Sequence, residues 1–250
     1  MNSDLQTYLR EAACRGREVE RVGPFLATFT PSSNNPFLNY AIPDDGADPS
    51  AEQIEGLADL FKRRGLLPRL EFLPGAAPLV EGALQARSFT VEARMPLMTC
   101  LPEALRDLPV PPGIELVQPT SDQELFAMLV AQNEAYGSDA PPSEADLQRR
   151  RSSLAAGGIA LLARARDTGE PVGGGLCDVP IRGVTELTSV GVRTAFRRQG
   201  IAGAMTSWLT RKAFAQGIQN VFLMAAGENE ARIYARVGFA RVAEVVGMSF

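Results

Sequence analysis

The segment VGVRTAFRRQGIAGAM, Val190 to Met205, concentrates more potential chemistry than any other stretch of the sequence. A run of branched residues passes through a short basic, glycine-containing turn straight into an amphipathic helical pattern, in which Ile201, Met205, Trp208 and Leu209 share one face. Such a turn exposes backbone N–H groups. Together with the partial positive charge of a helix N-terminus, these donors favour a phosphate or pyrophosphate. Gly200 would let the ligand approach the backbone closely, and Arg197 and Arg198 would add charge-assisted contacts. A plain solvated turn is the competing reading of the same residues. The segment lacks the Lys-Ser/Thr ending of a nucleoside-triphosphate loop, and its glycines do not follow the dinucleotide-binding pattern, so ATP and NAD fit poorly.

RRQGIA, Arg197 to Ala202, is similar to the R/Q-x-x-G-x-G/A acetyl-CoA-binding motif of the GNAT acyltransferases. ENEARIYARVGF resembles the second signature of that family, through Asn229, Tyr234, Gly238 and Phe239 in order. The resemblance extends from Gly113 to Phe250. It implies an α/β fold with a mixed, mostly antiparallel sheet flanked by helices, splayed beside its fourth strand so that the pantetheine arm of acetyl-CoA enters. Arg197, Arg198, Gln199, Gly200, Ile201 and Ala202 would then cradle the pyrophosphate, and the backbone of Val190, Gly191 and Val192 would bond the pantetheine amides.

Acyl transfer from a thioester to an amine needs a neutral amine, stabilisation of the developing oxyanion and a proton for the departing thiolate. Tyr234 matches the tyrosine that serves many GNAT enzymes as general acid; its ordinary pKa near 10 keeps it protonated at neutral pH. Glu186 stands where several of these enzymes carry a carboxylate that deprotonates the amine through water, and burial beside the splay would make it a better base. Core packing for Tyr234 and a solvated or ion-paired position for Glu186 are the alternatives. Asn229 is assigned to the cofactor or to capping of its helix. Cys177 could accept an acyl group, but no cation near it in sequence lowers its pKa, and packing suits it better.

Several elements must position these groups. GIELVQPT reads as a strand, SDQELFAMLVAQNEAYG as a helix opened by Ser121 or Asp122, and SEADLQRRRSSLAAGG as a second helix. IALLARARD and EPVGGGLCDVPI form a hairpin, VTELTSVGV a third strand, NVFLMAA a short buried strand, and ARVAEVVGMSF the last. The stretch Leu101 to Gln118 carries four prolines. It resists regular structure and sets a linker at 101–113 between an N-terminal domain, 1–100, and a C-terminal domain, 114–250. Setting Ser88-Phe89 against Gly238-Phe239 reveals a faint internal repeat, with Leu84 where Tyr234 stands. The N-terminal half is thus expected to be a degenerate, catalytically silent GNAT-like domain in a tandem arrangement.

Composition narrows the remaining choices. With 45% apolar and 22% charged residues the chain has the balance of a globular protein. Histidine is absent, which removes histidine triads and the commonest metal ligand. Three widely spaced cysteines read as reduced thiols, and no metal site is expected. A net charge of -4 argues against nucleic acid, and no apolar run is long enough for a membrane span. The expected protein is a cytoplasmic acetyl-CoA-dependent N-acetyltransferase acting on a primary amine, most simply of a small molecule; a homodimer is compatible with the sequence. A non-catalytic acyl-CoA-binding sensor or interaction module, and a protein acceptor, stay open at this point.

Overall fold

The computed structural model describes residues 2–31 and 33–250. The chain forms two compact units, one of Met1–Leu97 with Val242–Phe250 and one of Met98–Arg241. The first unit contains α1 (Asn2–Ala13), β1 (Glu18–Val22), β2 (Phe25–Phe29), β3 (Tyr40–Pro43), α2 (Ala51–Arg63), β4 (Arg69–Phe72), α3 (Val80–Gln85) and most of β5 (Thr90–Cys100). The second contains β6 (Ile114–Val117), α4 (Asp122–Ala135), α5 (Glu144–Ala155), β7 (Ile159–Ala165), β8 (Pro171–Cys177), β9 (Val184–Val192), α6 (Ile201–Ala215), β10 (Asn220–Met224) and α7 (Glu228–Val237). The last strand, β11 (Ala240–Ser249), begins in the second unit and ends in the first.

Both units are α/β, with mixed, mostly antiparallel strand pairing and flanking helices. In the first, β1–β2 and β2–β3 are antiparallel, β3–β4 is parallel, and β11 runs antiparallel to β4 with Val246 opposite Phe72. In the second, β6–β7, β7–β8 and β8–β9 are antiparallel and β9–β10 is parallel. The same succession of pairings therefore recurs: two strands antiparallel to their predecessors, then a helix crossover (α2 or α6) to a parallel neighbour. Ser88 and Gly238, equivalent in the internal repeat, both adopt left-handed backbone, at φ 65° and 110°.

Local sequence explains the helix starts. Ser50 and Gln53 form a reciprocal capping box on α2, Ser143 and Asp146 another on α5, and the Ser121 side chain accepts from the Glu124 N–H on α4. Each such cap contributes about 1 kcal/mol. Behind α2, Ile54, Leu57 and Phe61 fill a core with Phe25, Leu70 and Phe72. In the second unit Met205, Leu209 and Ala213 of α6 pack on Leu161, Cys177 and Leu187. On the opposite face of that sheet, Met128 and Leu129 of α4 and Leu147 of α5 pack on Ala160, Leu162 and Leu176.

The proline-rich residues 101–113 lie along α6 and α7. The Leu108 N–H donates to Ser207 Oγ at 3.2 Å, the Arg106 N–H to the Val237 carbonyl at 2.8 Å, and Leu105 and Leu108 pack against the core. Gly238 admits this strap, since a side chain there would run into the Ala104 carbonyl.

Candidate active site

β9 pairs with β10 only from Val184 to Glu186, opposite Asn220 to Phe222, although β9 continues to Val192 and β10 to Met224. The ladder thus ends at Glu186, and the β10-facing edge of β9 from Leu187 onward makes no ladder bonds to β10. A bulge marks the same stretch: the β8–β9 register shifts between Gly174 and Leu176, and Ser189 takes φ 54°. The buried Gln132 of α4 holds this bulge, its side-chain amide donating to the Ser189 carbonyl at 2.8 Å. Gly191 is pressed against α4; a Cβ there would stand 2.9 Å from Ala135 Cβ and 3.4 Å from the Tyr136 ring. The Tyr136 hydroxyl lies 3.4 Å from the Val190 carbonyl.

From β9 the chain enters the loop 193–200. Arg198 and Gly200 adopt φ 62° and 84°, and Gly200 is the N-cap of α6. Unlike α2, α4 and α5, α6 has no side-chain cap. Its first-turn N–H groups, from Ile201 to Gly203, lack intrahelical acceptors, and the left-handed backbone of Arg198 and Gly200 turns the loop immediately before them. The 15-residue helix adds its dipole. This arrangement fits an anion, and its length along β9 fits an extended amide-bearing chain reaching away from that anion.

The two arginines of the motif behave differently. Arg197 turns back on the protein: its Nε donates to the Val192 carbonyl at 3.0 Å and its Nη2 to the Ala135 carbonyl at 2.7 Å, bracing the loop against the end of α4. Arg198 and Gln199 are exposed at the loop crest. Asn229 is also exposed, in the first turn of α7; that helix opens at Gly227 with no side-chain cap, so Asn229 does not cap it.

Tyr234 projects from α7 onto the core, half-buried, with its ring 6.3 Å from that of Phe239. Burial pushes its phenol up to about 12, and the neighbouring Tyr136 and Glu230 act in the same direction. It therefore holds its proton throughout the neutral range. Glu186, half-buried, occupies the last rung of the β9–β10 ladder. Cys177 is 1% exposed, its Sγ lies 3.9 Å from the Leu209 carbonyl, and burial pushes its thiol up, so it is a core residue rather than a nucleophile. Among the described residues no group of three or more Cys, Asp or Glu could hold a metal ion, and no helix is long and apolar enough to cross a membrane.

Residues 124–239 match the model of the acetyltransferase (GNAT) family. They form a GNAT domain. The match spans the cap of α5, the bulged β9, the loop before α6 and the Gly238-Phe239 pair. Solved structures extend the likeness of fold to the whole chain. A GCN5-related N-acetyltransferase from Kribbella flavida superposes with a TM-score of 0.82 at 24% identity, covering 100% of this chain and 95% of that one. One from Sphaerobacter thermophilus gives 0.65 at 16% identity over 91% of this chain and 80% of that one. A tandem GNAT protein from the clavulanic acid biosynthesis pathway gives 0.67 at 12% identity over 95% and 84%. No curated protein matches the sequence.

Gln132, Arg197 as a brace and the strap at 101–113 are contributions that sequence reasoning did not assign. Only Gln132 left a signal: a glutamine among Met128, Leu129 and Ala131 on a buried helix face is a polar group that needs a partner.

Proposed function

We propose that the GNAT domain moves an acetyl group from acetyl-CoA to the primary amine of a small molecule, by direct attack in a ternary complex. The observation that carries this reading is the uncapped, left-handed entry to α6 at the end of a strand whose inner edge is free beyond Glu186. The α6 N-terminus receives the pyrophosphate, with Arg198 adding charge at the crest. The backbone groups of Val190 and Val192, on the edge of β9 away from β8, pair with the pantetheine amides as the next strand of the sheet would, while Gly191 between them pairs with Gly174 of β8.

Acetyl-CoA supplies an activated acetyl thioester. Glu186, at the point where the strands part, takes a proton from the acceptor ammonium through water, leaving the amine nucleophilic. A backbone N–H of β9 donates to the acyl oxygen as negative charge grows there. Tyr234, which burial keeps protonated across the neutral range, gives its proton to the sulfur as the C–S bond breaks. Cys177, buried and with its thiol pKa pushed up, is not placed to accept an acyl group, which supports direct attack.

The first unit supports no such chemistry. Its β3–α2 connection carries Asp44, Asp45 and Asp48 where the second unit has Arg193, Arg197 and Arg198, and Leu84 lies fully buried in the place of Tyr234. It serves as a degenerate copy without an acyl-CoA site. A cytoplasmic location fits the thiols of Cys100 and Cys177, which are buried and unpaired. With purified protein and acetyl-CoA, a free-thiol assay should record coenzyme A release only when an amine is added. Release without amine, or none with any amine, would contradict the proposal.

A further inference from the structure

The strap at 101–113 lies wholly within the second unit. Leu105, Leu108 and Pro111 recur at every third residue, the repeat of a polyproline II helix, and Leu105 holds φ -61° and ψ 130°. These three form the inner side of the strap. Leu105 and Leu108 pack on the core, Leu108 Cδ1 stands 2.9 Å from the place of a Gly203 Cβ, and Pro111 Cγ stands 4.0 Å from that of a Gly200 Cβ. Asp107 accepts from Arg211 Nη1 at 2.6 Å. The strap therefore runs antiparallel to α6 and reaches its N-cap. At about 100° per residue, Gly203, Ser207 and Arg211 share the face of α6 opposite Met205 and Leu209, which pack on the sheet.

The start of α6 is thus flanked by the sheet on one side and by the strap on the other. With a pyrophosphate on the α6 N–H groups, the pantetheine follows β9, and the nucleotide on the far side of the pyrophosphate leaves toward the strap. An apolar wall meets it there. Val110, three residues after Asp107 and on the same side of the strap, is 43% exposed between Leu108 at Gly203 and Pro111 at Gly200. Pro109 and Pro112 are exposed beside it. From α7, Ile233 adds a further exposed apolar side chain, its Cγ2 3.8 Å from the place of a Gly203 Cβ. Prolines fix their own φ, so this wall loses little conformational freedom when a ligand is laid on it. An adenine ring, apolar on both faces, suits such a surface.

We infer that residues 109–112 hold the adenosine end of the donor, so that the second unit selects coenzyme A itself over phosphopantetheine carried on a protein. This rests on the acyl-CoA reading of the α6 entry. The test titrates the full chain with acetyl-CoA, with acetyl-dephospho-CoA, which keeps the adenosine, and with acetyl-4′-phosphopantetheine, which lacks it. Val110→Ser should weaken the first two by about 5- to 10-fold, the worth of part of a valine side chain withdrawn from water, and change the third by less than about twofold. Because Val110 is exposed in the free chain, the variant should keep the thermal stability of the wild type. An equal loss for all three thioesters would assign Val110 to the shape of the cradle, and an unchanged affinity for acetyl-CoA would leave the adenosine in solvent; either result overturns the inference. A wild type that binds acetyl-4′-phosphopantetheine as tightly as acetyl-CoA overturns it as well. Those outcomes leave the acyl-CoA site standing, whereas a folded wild type that binds none of the three would remove the site and the inference together.

Discussion

Replacing Tyr234 by Phe lowers kcat by roughly 10²- to 10⁴-fold, the range over which a positioned general acid acts, with little change in affinity for acetyl-CoA. The phenylalanine ring keeps the packing of Tyr234 against Phe239 and the core, so thermal stability holds and the loss belongs to the oxygen alone. Steady-state rates over a pH series add a second check. Because burial raises the phenol to about 12, its proton is retained well beyond the ordinary value near 10, and kcat shows no fall from this group between pH 7 and about 10. A loss under about threefold, or a limb titrating near pH 10 that Tyr234→Phe abolishes, would assign the tyrosine to packing.

Glu186→Gln is expected to lower kcat/KM by roughly 10²-fold at neutral pH, and by less as pH rises and the acceptor loses its proton unaided. Glutamine keeps the size of the side chain and its place on the last β9–β10 rung, so the ladder from Val184 to Glu186 survives. The decisive feature is the pH dependence: a missing base is compensated by alkaline conditions, whereas a disturbed strand is not. A uniform loss at every pH, or no loss, would exclude Glu186 as the base.

The loop before α6 was legible in the sequence because its chemistry lies in contiguous residues: a strand, basic residues, Gly200 and a helix start need no tertiary partner to be recognised. The start of α4 at Ser121 or Asp122 was legible for the same reason, and the cap is Ser121, three residues before Glu124. Long-range choices were not. Val246 and Met248 read as a buried strand, but an alternating apolar strand suits any apolar neighbour, and nothing in it specifies pairing with β4. The bulge at Ser189 rests on Gln132, a residue 57 positions away. The charge of Arg197 could be read, but not the direction of a long side chain that ends on the carbonyls of Val192 and Ala135.

Isothermal titration with acetyl-CoA, run on the wild type beside Gly200→Val, tests the central claim that β9 and the start of α6 form an acyl-CoA cradle. A branched residue at φ 84° strains the N-cap and fills the approach to the α6 N–H groups. One site per chain in the wild type, with an affinity in roughly the 1 μM–1 mM range of enzyme substrates, and its loss in a variant of unchanged circular dichroism, is the predicted result. A folded wild type that gives no binding heat and gains no thermal protection from acetyl-CoA would contradict the account.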